Sequence, residues 1–172
     1  MANFEQAINT ILVNEGGYTN DANDRGGKTN FGITEAELVS AVTNGIVQGG
    51  TTAETITKDQ AMTIYKAHYW NALKLDNIST QSVATKVFDT CVNLGNHWGI
   101  VCLQRAIRSA TGNALVEDGA LGQKTLDAVN TCSSALLLAA YRSEQAGYRR
   151  SIVAHDSTQA KFLKGWMNRS YQ

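Results

Sequence analysis

The sequence predicts an α+β fold, mainly α, with one small β-hairpin lobe after the first helix, and three observations carry that prediction. Asn3 with Gln6, Thr34 with Glu37 and Thr57 with Gln60 stand at capping-box spacing, where the first side chain bonds the third amide and the later side chain reaches back. Apolar residues recur at helical intervals through most of the chain. Only residues 17–32 break the pattern: YT and KTN flank the turn-rich run NDANDRGG, which reads as a hairpin or small meander.

Taken in order, the first helix carries Phe4, Ile8, Ile11 and Leu12 and is expected to stop at Gly16 or Gly17. A second covers about 35–44 and halts at Asn44 and Gly45. IVQGGTTAETI is a polar loop, after which a third helix presents Met62, Tyr65, His68 and Tyr69. The next, about 80–94, buries Val83, Val87 and Cys91 and closes at Leu94 and Gly95. Residues 98–111 offer Cys102, Leu103, Ala106, Ile107 and Ala110, and EDGALGQKT is a loop that opens a helix near Gln123. From about 134 the tail is helical with an interruption near His155–Ser157. Tyr65, Trp98 and Trp166 are read as core residues.

The chain has 172 residues, 43% hydrophobic and 17% charged, enough for a core without metal or disulfide staples. No apolar run approaches the ~20 residues of a membrane span, so no membrane insertion is expected. MANFEQAINTIL has no basic leader, and the expectation is a protein made in the cytoplasm. Cys91, Cys102 and Cys132 have spacings that suit neither a disulfide framework nor zinc; buried thiols are expected. Net charge is zero, yet residues 1–90 carry ten acids against six bases, leaving +4 on the remainder. A basic second half suits an anionic polymer, nucleic acid or a bacterial wall, although a solvated surface gives the same imbalance.

Glu15 stands out. Ile11, Ile8 and Phe4 lie four, seven and eleven residues before it, so this carboxylate projects from the stripe that faces the core. Desolvation and the negative end of the helix dipole would both raise its pKa, keeping a proton available for general acid catalysis. Gly16 and Gly17 then end the helix and let a ligand approach the backbone. A solvated helix-end acid beside a Gly-Gly cap has the same pattern. Acid cleavage of a glycosidic bond ordinarily needs a second carboxylate, and Asp21 and Asp24 are the nearby candidates, both also ordinary turn residues. Thr29 and Asn30, on the returning strand, are placed to hold a water or a sugar hydroxyl.

EGGYTNDANDRGGKTNFGIT resembles the signature of glycoside hydrolase family 108, N-acetylmuramidases with a lysozyme-like fold. AHYWNALKLDNI, VFDTCVNLGNHWG, LQRAI, DGALGQKT and FLKGWMNR resemble further blocks of that family in the same order. The resemblance implies a peptidoglycan hydrolase without a cofactor or a metal, with Glu15 as the catalytic acid, Asp24 as second carboxylate and Thr29 as its partner. In phage-type lysozymes the threonine comes one place later, where this chain has Asn30, and Ala22 and Arg25 stand where the family commonly has proline. Tyr18, Asn30, Tyr69, Trp70 and Asn93 are the expected substrate contacts. Residues 1–95 form the expected catalytic part. Residues 96–172 resemble a peptidoglycan-binding segment expected to complete one globule. The implied partner is the glycan strand, not nucleic acid, and a monomer is expected. Cleavage of the MurNAc-GlcNAc bond at the wall would follow holin-like release, specialised export or lysis.

Other chemistries fit less well. His68, His97 and His155 are scattered and no HExxH is present, against a zinc amidase. A Cys/His peptidase would need a thiolate on an apolar helix stripe, and there is no GxSxG elbow. The remaining alternatives are a lytic transglycosylase acting on the same bond and a non-catalytic wall-binding or secretion accessory.

Overall fold

The computed structural model describes residues 1–14, 19–20 and 28–172. It has the mainly helical, lysozyme-like character expected, with a small antiparallel sheet after the first helix. The chain divides into two compact units, Asn3–Lys74 and Met1–Ala2 with Leu75–Gln172.

In the first unit α1 spans Phe4–Asn14. Asn3 Oδ1 accepts the Gln6 amide at 3.1 Å, and Phe4, Ile8 and Ile11 are all buried. Strands β1 (Thr19–Asn20), β2 (Lys28–Asn30) and β3 (Ile33–Thr34) form an antiparallel sheet in chain order. Phe31 and Gly32 join β2 to β3 with φ of 50° and 75°, the positive values that tight hairpins require. Phe31 pays a steric penalty there that a glycine would not, and the buried Tyr65 hydroxyl donates to its carbonyl at 2.9 Å. Helix α2 (Glu35–Thr43) starts on the Thr34/Glu37 capping box and α3 (Lys58–Tyr65) on the Thr57/Gln60 box, each with both reciprocal bonds present.

The third helix does not continue regularly to Tyr69. After Tyr65 it widens into a π-helical turn, Lys66–Asn71, which shifts the angular position of everything beyond it. Trp70, inside that turn, is buried and packs edge-on against Phe4, with ring centroids 5.7 Å apart.

The second unit is built on α4 (Gln81–Leu94), α5 (Asn96–Thr111) and α7 (Ser134–His155), joined by α6 (Gln123–Thr131) and α8 (Leu163–Tyr171). The compact division falls at Lys74, and α4 packs on α5 and α7 within the second unit. The contact with α5 is close at Gly99, where an added Cβ would lie 2.5 Å from Cys91 Sγ and 3.0 Å from Cys91 Cα. Tyr141 of α7 donates to the Gly99 carbonyl at 2.9 Å across the same junction.

Two polar devices fasten this unit. Gln104 is buried on α5, and its Nε2 donates to Asp118 Oδ1 at 2.7 Å and to the Ala120 carbonyl at 3.1 Å, while its Oε1 accepts the Gly119 amide at 3.1 Å. One side chain thus anchors the DGALG loop. Helix α8 is held by cations at its carbonyl end: Lys86 Nζ donates to the Arg169 carbonyl at 3.0 Å, and Arg149 Nη1 donates to the Trp166 carbonyl. Asp89 is the carboxylate among them, 3.4 Å from Lys86 and 3.3 Å from Arg169. Burial lowers the Lys86 pKa, with Asp89 opposing that shift.

Three expectations about burial need correction. Trp98, read as core, is 39% exposed. Trp166 is half-buried and stacks on Phe162 with centroids 5.8 Å apart. Cys91 and Cys102 are buried as expected, but Cys132 is only half-buried.

Candidate active site

The residues expected to do the chemistry fall in the first unit, and Glu15, Tyr18, Asp21 and Asp24 lie outside the described residues. Helix α1 leads to them with the predicted stripe buried: Ile8 and Ile11 are fully enclosed and Phe4 nearly so. The next position on that stripe, by spacing, is residue 15.

Thr29 occupies the central strand. Its Cα partners are Thr19 on β1 and Thr34 on β3, so three threonines lie across the sheet in one row. Thr34 passes this arrangement into the helical part: its backbone amide and hydroxyl both donate to Glu37 Oε2 at 3.0 Å. The other oxygen, Glu37 Oε1, accepts the Tyr69 hydroxyl at 2.9 Å. Tyr69, expected to touch sugar, is therefore half-buried and bonded to the carboxylate that caps α2.

Asn30 is buried, and its amide donates to the Ala53 carbonyl at 2.9 Å. The Ala53 amide in turn donates to Glu35 Oε1 at 3.1 Å, so Asn30 ties β2 to the loop before α3. At 3% exposure, Trp70 does not offer a ring face to a ligand; its expected sugar contact is replaced by a packing role against Phe4. Asn93 belongs to the second unit, half-buried, and its amide donates to the Asp89 carbonyl at 2.6 Å and to Asp89 Oδ1 at 3.3 Å. The structure links Thr34, Glu37 and Tyr69 by hydrogen bonds, and Thr29 stands beside Thr34 in the register of the sheet.

Residues 8–95, which contain this sheet and the EGGY segment, match the family model described as Glycosyl hydrolase 108. The chain belongs to that family. Residues 98–171 match the model described as Predicted Peptidoglycan domain. The structure is also similar to that of Brucella abortus SagA, with a TM-score of 0.77 and 28% identity over 97% of this chain and 88% of that one. No curated protein matches the chain. As a family 108 protein it is a glycoside hydrolase related to peptidoglycan.

Sequence reasoning about this family 108 chain missed Glu37 as anything beyond a helix cap. The capping-box spacing was visible, but the second bond to Tyr69 joins residues 32 apart and leaves no local signal. It also missed Gln104, whose burial depends on a loop 14 to 16 residues away. The two buried thiols, Cys91 and Cys102, give no nucleophile. Burial raises the Cys91 pKa far above its ordinary value and pushes Cys102 up to about 11, so both stay protonated at neutral pH.

Proposed function

We propose that this family 108 chain is an endo-acting N-acetylmuramidase that hydrolyses the MurNAc-GlcNAc bond of peptidoglycan. Glu15 protonates the leaving glycosidic oxygen, Asp24 stabilises the oxocarbenium-like state or activates water, and Thr29 assists from the middle of the sheet. Tyr18 and Tyr69 are the aromatic sugar contacts retained in this reading. The observation that carries it is the match of residues 8–95 to Glycosyl hydrolase 108, supported by the burial of Phe4, Ile8 and Ile11, whose sequence spacing leads to position 15. A carboxyl group in that position is poised for acid catalysis.

Replacing Glu15 with Gln keeps the side-chain size and removes the acid. Clearing of purified sacculi is expected to fall at least ~100-fold, the scale of a lost general acid; an unchanged rate sinks the assignment. Mass spectrometry of the products of the parent enzyme should show reducing muramic acid ends. Anhydromuramic ends would make the protein a lytic transglycosylase, and released peptides on intact glycan an amidase.

A further inference from the structure

The most exposed tryptophan in the second unit is held in place by other aromatic rings. Trp98 stacks on Tyr148 of α7 with centroids 4.6 Å apart and an interplanar angle of 27°, and the His97 ring meets it edge-on at 5.3 Å. His97 is fixed in turn by the DGALG loop. Gly119 has φ of +71°, and a Cβ there would lie 2.2 Å from His97 Nδ1. Gln104 anchors that loop from α5. The order is built from α5 through the loop to the imidazole, the indole and the phenol, yet the indole keeps 39% of its surface in water.

We propose that Trp98, supported by Tyr148 and His97, is a stacking platform for an N-acetylhexosamine ring of the glycan strand. An exposed, preordered indole combines a large apolar face with a polar edge and loses little freedom on binding. The apolar C-H face of a pyranose matches that flat surface. A protein interface fits less well, because none of the other large exposed apolar side chains described in this unit, Met1, Val116, Leu136, Phe162 and Tyr171, shares α5 with Trp98, whereas stable interfaces bury on the order of 800 Å² per partner. The match of residues 98–171 to a peptidoglycan domain begins at this tryptophan. The platform rests on the peptidoglycan reading above and adds a binding site to it.

The test uses the full chain carrying Glu15→Gln, which leaves the glycan uncut, in a pelleting assay with purified sacculi. Adding Trp98→Ala is expected to weaken binding about tenfold, the scale of an aromatic hot spot, and Trp98→Phe to restore most of it. If Glu15→Gln chains do not pellet at all, the wall-binding reading fails. If they pellet equally with and without Trp98, the platform fails and the wall reading stands. Sacculi stripped of stem peptides must retain the Trp98-dependent part; its loss would show that peptide is recognised and would overturn the sugar assignment. Independent of any change at Trp98, titration of the Glu15→Gln chain with N-acetylglucosamine tetramer should move the Trp98 indole N-H resonance while Trp70 and Trp166 stay still. A stationary Trp98 signal also overturns the proposal.

Discussion

The amide of Gln104 shows how one side chain governs a loop that has little apolar surface of its own. Both ends of the group are used, donating to Asp118 and Ala120 and accepting from Gly119. Gln104→Leu is nearly isosteric but takes from the half-buried Gly119 amide the oxygen it donates to, while the exposed Asp118 carboxylate turns to water. Unsatisfied groups of this kind cost about 1–3 kcal/mol, and urea denaturation of the variant should show a loss in that range. A second residue-scale expectation concerns Cys102, whose pKa is pushed by burial from 9.0 up to about 11. Between those values the folded chain keeps a proton that the unfolded chain releases, so the stability this thiol contributes is full below pH 9 and is lost as pH rises through 11. The loss is on the order of 3 kcal/mol. Stability of Cys102→Ala, measured by denaturation at pH 8 to 11, should therefore decline less steeply than that of the parent.

At the scale of elements, helix starts were legible because their chemistry is local. Thr34, Thr57 and Asn3 find their partners three residues away, and each cap is present. The π turn was not legible, since helical spacing carries no mark of where an extra residue enters a turn. Two tryptophans were misread for that kind of reason. Trp70 sits within the turn and goes inward to Phe4. Trp98 shares the stripe of Cys102, four residues on, but at the first turn of α5 it meets the rings of His97 and Tyr148 and leaves the rest of its surface in water. One close contact leaves no local signal at all: the missing side chain of Gly99 admits Cys91 of α4. Gly99→Ala forces that helix pair apart and should destabilise the protein by about 1–3 kcal/mol, as overpacking does, even though alanine favours helix. A variant at least as stable as the parent in thermal and urea unfolding would remove the close-packing account of Gly99.

Over the whole molecule the charge is divided between the two units. Residues 3–74 carry eight acids and five bases, −3, while the other unit carries ten bases and seven acids, +3. The family assignment makes peptidoglycan the partner, and its stem peptides present carboxylates, so the positive unit should draw the chain to the wall by a field that salt screens within about 8 Å at physiological ionic strength. Lys124, Arg150 and Lys164 are exposed bases of this unit, and surface changes to such residues typically alter stability by no more than about 0.5 kcal/mol each. Replacing all three with glutamine brings the unit from +3 to zero. Binding of the Glu15→Gln chain to sacculi is expected to weaken about threefold to tenfold when salt is raised from low to physiological concentration, and the triple variant should lose most of that salt dependence. Binding of an uncharged N-acetylglucosamine oligomer should respond to neither change. If the triple variant kept the parent's full salt response on sacculi, the attraction would have to come from other residues than the positive surface of the second unit.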